Sequence, residues 1–134
     1  MSWNALIKTH HITSRQKVQR LQKAAKELQV IVELRCGKNL SPGIMYVEGE
    51  EEGVRDWVEV VRRLRYKDFE MLRRPAPLRR EEDGEVNKDV LPKGGAAEGG
   101  SSFGETGEMT EFARRMVRRR VFGWWKSAMG YGTS

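Results

Sequence analysis

Along the first 75 positions the spacing of apolar residues switches between periods of 3.6 and 2, and each switch marks a new element. Val18, Leu21, Ala25 and Leu28 recur at helical spacing while Gln19, Arg20, Lys23 and Lys26 fall on other faces, which predicts an amphipathic helix over about residues 14–28. Thr13-Ser14 followed by Gln16 reads as its capping box, with the Thr13 hydroxyl and the Gln16 amide serving free backbone N–H groups. Val30, Val32 and Leu34 then alternate with Ile31, Glu33 and Arg35, the signature of a half-buried strand. The run from Gly37 to Gly43 is dense in turn formers and Ile44 to Glu48 alternates again, so a hairpin with a long loop is expected. Val54, Trp57, Val58, Val61 and Leu64 give a second helical stripe. Glu51, Glu52 and Asp56 near its start and Arg62, Arg63 and Arg65 near its end match the helix dipole. Lys67 to Leu72 alternates once more before Pro75 and Pro77 close the unit.

Trp3 to His11 alternates more weakly, and a strand there completes the order β-α-β-β-α-β, an α+β ferredoxin-like sandwich with both helices on one sheet face. The alternation turns Met45 and Val47 toward the helices. Ile44, Tyr46 and Glu48 then share the other face with Lys8 and His10. Residues 1–75 form this core. Residues 76–102 carry Arg79 to Asp83 and the Gly-rich run 94–100, which reads as a flexible acidic linker or loop. In residues 103–131 a helical stripe runs through Met109, Phe112, Met116, Val121, Trp124 and Trp125 with a break near Gly123. An appended C-terminal helix of that character needs a surface to cover, and the open sheet face or a neighbouring helix supplies one.

Composition narrows the setting. The apolar fraction of 38% is low for a fully packed chain, so part of it is expected to be unpacked. No apolar run approaches bilayer length and the N-terminus has no signal-peptide pattern, so a nuclear or cytoplasmic protein without membrane contact, and a monomer, is expected. Cys36 alone makes neither a disulfide nor a Cys-based zinc site. The net charge of +6 is uneven: residues 112–134 hold six basic side chains and no acidic one, while residues 76–111 hold four and nine. Clustered arginine favours an anionic partner.

No chemistry-bearing motif emerges. On a strand His10 and His11 would point to opposite faces, and no HExxH or Cys/His spacing supplies further ligands. Glu48, Glu50, Glu51 and Glu52 lack the ligand alternation of an EF-hand loop, and Gly37-Lys38 lacks the rest of a P-loop. With no nucleophile set and no dinucleotide fingerprint, no catalytic residue, no metal and no cofactor is expected, and the chain is not expected to be an enzyme.

Three blocks carry a family pattern: His10-His11-Ile12 with Ser14 and Lys17, Gly43 to Gly49, and Phe103-Gly104-Glu105 with Phe112, Trp124-Trp125 and Ala128. Together they resemble the C-terminal domain family of the small nuclear ribonucleoprotein pre-mRNA-processing factor 3, in its RWD-associated branch. The resemblance implies a ferredoxin-like fold and a non-catalytic RNA-binding or ribonucleoprotein-associated module, with single-stranded or small nuclear RNA as partner. Base stacking on Tyr46, beside Lys8 and His10, would fit such a module if the sheet face is open; the alternative packs Tyr46 under the Trp-rich helix. Phosphate contacts would come from Arg62, Arg63 and Arg65 and from Arg114, Arg115, Arg118 and Arg119, since five arginines in the seven positions 114–120 exceed what a helix dipole requires. The second reading is a protein-interaction module docking an RWD domain or another acidic partner through the same surfaces.

Overall fold

Ser14, not Thr13, opens the first helix: its hydroxyl accepts from the Lys17 N–H at 3.2 Å. The cap lies one residue later than the capping-box pattern places it, because Arg15 is the first residue with helical backbone. A computed structural model describes residues 1–81 and 102–131. Its elements run β1 (Ser2–Thr9), α1 (Arg15–Leu28), β2 (Ile31–Arg35), β3 (Gly43–Glu50), α2 (Glu51–Leu64), β4 (Glu70–Pro77), β5 (Ser102–Thr106), α3 (Met109–Arg118) and α4 (Phe122–Met129).

The sheet order is β4-β1-β3-β2-β5. The first four strands pair antiparallel, as in a ferredoxin-like sandwich, and β3 lies between the parallel strands β1 and β2 that α1 connects. Val18 and Leu21 of α1 and Val54, Trp57 and Val61 of α2 are buried against Ala5, Ile7, Met45 and Val47, so both helices share one sheet face as their periodicities predict. Trp57 is the largest side chain in this layer, and its indole N–H donates to the Leu21 carbonyl at 3.1 Å, closing the seam between the two helices.

The chain departs from the sequence reading beyond residue 72. β4 continues through Pro75 to Pro77, tolerated because it is an edge strand and its outer N–H groups need no partner. β5 adds a fifth strand, parallel to β2. The single broken helix is a hairpin of two helices, with Arg120 in the left-handed region (φ 62°) at the turn. Of the linker 76–102, residues 82–101 lie outside the described residues.

The helical hairpin covers the second sheet face. Leu6, Ile44 and Tyr46 are fully buried beneath Phe112, Met116, Val121 and Trp125. Trp124 is half-buried, with its ring edge-on to Tyr46 at 5.7 Å. Tyr46 is therefore a core residue of the second layer, and the face assigned to base stacking is closed.

Candidate functional site

Between the sheet and the hairpin two carboxylates are nearly removed from water: Glu33 of β2 at 7% exposed and Glu48 of β3 at 4%. Both point away from α1 and α2 because they alternate with Val32, Leu34 and Val47. A buried carboxylate needs charge and hydrogen-bond partners, and the hairpin supplies them. Arg115 donates to Glu33 at 3.0 Å and to Glu111 at 3.2 Å, and Arg119 donates to the other Glu33 oxygen at 2.8 Å. Arg80, from the segment that leaves β4, donates to Glu48 at 2.7 Å and to the Arg119 carbonyl at 2.7 Å. The Tyr46 hydroxyl donates to Glu48 at 2.7 Å and lies 3.3 Å from the Asn4 amide nitrogen.

Two members of this network, Tyr46 and Arg80, have raised proton affinities. Burial, then the neighbouring Glu48 charge, pushes the Tyr46 phenol well above its ordinary value, so it stays a donor. Burial works against the Arg80 cation, but the Glu48 hydrogen bond and charge outweigh it and the guanidinium is held above its ordinary value. Glu111 extends the network outward, pairing with Arg115 and also with Arg114 and Arg118. The arrangement clasps two layers together. It offers no exposed acid–base pair or nucleophile.

The ten residues expected to meet RNA do not share a surface. Arg115 and Arg119, expected to contact phosphate, have side chains only 20% and 18% exposed and are committed to Glu33. The buried carboxylates draw them inward. Arg114 and Arg118 lie on the outer side of α3 around Glu111. Arg62, Arg63 and Arg65 belong to the other side of the sheet: Arg62 pairs with Glu59 and lies over the Phe69 ring, and Arg63 and Arg65 are exposed at the end of α2. Lys8 and His10 line a surface groove with Phe69, Met129 and Tyr131, paired with Glu70 at 3.6 Å and Asp68 at 3.5 Å. His10 and His11 stack at 4.1 Å instead of pointing apart, because β1 ends at Thr9 and strand alternation stops there. Among the described residues no group of three or more His, Cys, Asp or Glu is placed to hold a metal ion, and no helix is long and apolar enough to cross a membrane.

The sequence reading missed Glu33, Asn4, Arg80 and Glu81. Glu33 had a visible signal, a carboxylate inside a β-branched strand. Arg80 and Glu81 had none, since their run of two basic and three acidic residues, 79–83, resembles any solvated linker.

No family model and no curated protein matches the chain. Among solved structures it is similar to BlrP1 BLUF, with a TM-score of 0.52 and 15% identity over 92% of this chain and 78% of that one. A bacterial light-regulated adenylyl cyclase aligns at a TM-score of 0.41 and 11% identity, over 98% of this chain and 36% of that one. The likeness to BlrP1 BLUF establishes a shared fold. It also corrects the family reading: the structural neighbour with this fold is a BLUF domain, not a splicing-factor C-terminal domain, and no family model restores the resemblance. The RNA-binding and ribonucleoprotein assignment, and the docking of an RWD domain or another acidic partner, fall with it. The burial of Tyr46 and the pairing of Arg115 and Arg119 give the physical reason.

Proposed function

We propose that the chain is a non-catalytic regulatory module in which the α3–α4 hairpin is a detachable cap over the sheet. The observation that carries this reading is the inequality of the two seams. The α1–α2 layer closes over 18 buried residues in one cluster, whereas the hairpin closes over seven, rimmed by partly buried apolar side chains such as Met109, Phe122 and Trp124, and places the ion network at Glu33 and Glu48 within its seam. Burying charge offsets much of the Coulombic gain, so such a seam contributes less than an apolar one of equal area. The cap therefore opens at lower cost than the helix layer, which is what a two-state element requires.

The BLUF likeness supports a regulatory setting, since BLUF domains are blue-light-sensing modules. Blue-light sensing needs a conjugated chromophore, because protein aromatics absorb only in the ultraviolet. Among the described residues the two seams do not fit one. Trp57 and Leu21 fill the α1–α2 seam, Tyr46 and Trp125 fill the other, and the grooves at the β1–β4 edge, along α2 and at the α2 start lie open on the surface.

Hydrogen exchange of the whole chain tests the cap. Amides of α3 and α4 are expected to exchange through an opening of lower free energy than those of β1, β3 and α2. Equal protection of both sets would reject the reading. Titration with flavin mononucleotide, as a blue-absorbing probe, is expected to leave its free spectrum unchanged; a perturbed, light-responsive band would restore light sensing in place of the reading proposed here.

A further inference from the structure

The segment leaving β4 does more than pair Arg80 with Glu48. The Glu81 N–H donates to the Arg120 carbonyl at 2.7 Å, and the Arg120 Nε donates back to the Glu81 carbonyl at 2.8 Å. The Glu81 carboxylate then reaches over the turn, where one oxygen accepts from the Gly123 N–H at 3.1 Å and the other from the Trp124 N–H at 2.8 Å. These are free donors of the first turn of α4, and Val121, at the cap position, provides no side-chain acceptor. Gly123 leaves room for this, since a Cβ there would come within 3.0 Å of a Glu81 oxygen. A cap residue normally precedes its own helix directly. Here it lies 42 and 43 positions before the two N–H groups it serves.

We infer that the segment Leu78–Glu81 is a strap that sets whether α4 is docked, with Glu81 as its positioning residue. The inference refines the cap reading by dividing the hairpin into two halves. α3 is anchored by Arg115 and Arg119 on Glu33, while α4 is held by Trp125 in the apolar layer and, at its first turn, by the strap. Leu78 fixes the base of the strap through its N–H to the Ser2 carbonyl at 2.8 Å. Whatever draws Arg80 and Glu81 off the turn removes the α4 cap, lets Trp124 leave the edge of Tyr46, and opens that end of the sheet face while α3 stays in place.

Residue-resolved hydrogen exchange on the full chain, comparing wild type with Glu81→Ala and Glu81→Gln, tests this. Glu81→Ala is expected to speed exchange at Gly123, Trp124 and Trp125 by about five-fold, the ratio corresponding to a lost helix cap, with α3 and the sheet unchanged. Glu81→Gln keeps one acceptor oxygen and is expected to fall between. Unchanged α4 exchange in Glu81→Ala, or equal acceleration of α3, α4 and the sheet, overturns the strap. Neither result touches the cap reading, which rests on the wild-type difference between the hairpin and the α1–α2 layer.

Discussion

At Gly104 of β5 a Cβ would collide with both the Glu33 carboxylate and the Arg115 guanidinium, so the missing side chain is what admits that ion pair between β5 and α3. Gly104→Ala is expected to cost about 1–3 kcal/mol, the range for overpacking a filled site, read as a lower urea midpoint of unfolding. No change would mean that the pair has space to shift. Cys36, at the end of β2, makes a different residue-scale case. Burial, then the nearby Glu105 charge, raises its thiol to about 11, so at pH 8 the thiolate fraction is small. The folded protein is expected to react with a disulfide reagent roughly a hundred-fold more slowly than the urea-unfolded chain. Equal rates would show that burial does not protect it.

The arginines of α3 show how one element divides between structure and solvent. Arg119 serves Glu33 at the seam, whereas Arg114 is 64% exposed and meets only Glu111. Removing one partner of a nearly buried carboxylate leaves an under-compensated charge, so Arg119→Ala is expected to cost about 2–4 kcal/mol and Arg114→Ala less than about 0.5. Equal costs in denaturant unfolding would place both on the surface. The same division explains what the sequence made legible. Helical periodicity located the amphipathic elements and their shared face, because Val54, Trp57 and Val61 must be buried whatever lies beyond them. The β2 alternation even turned Glu33 to the correct side. It could not show that Glu33 would meet Arg115, because that contact depends on where a hairpin 82 residues away docks. For the same reason β5 was missed: Ser102–Thr106 carries no strong strand pattern, and its pairing with β2 is non-local.

For the molecule as a whole, the charge imbalance of the C-terminal segment becomes a statement about acid stability. Residues 112–134 hold six cations and no anion, so every carboxylate that neutralises them comes from elsewhere in the chain. Two carboxylates that precede this segment, Glu105 and Glu111, carry lowered proton affinity. The hydrogen bond from Arg15 is the chief cause of the shift at Glu105. At Glu111 burial opposes ionisation, but hydrogen bonds from Arg115 and Arg114 prevail. For both groups the folded value lies below the unfolded one, so the unfolded chain binds more protons as the pH falls through the carboxylate range. Their contribution is complete above the ordinary value of about 4.3 and is lost as the pH drops through the lower folded values. Protonation would also leave the hairpin arginines to repel one another. The urea midpoint is therefore expected to be level from about pH 8 to 5.5 and to fall below about pH 4.5, with α3 and α4 losing exchange protection before α2. Glu105→Gln should lower the midpoint at neutral pH and flatten the acid limb. A midpoint that rises toward low pH, or an α1–α2 layer that opens first, would contradict both the linkage and the unequal seams from which the cap was inferred.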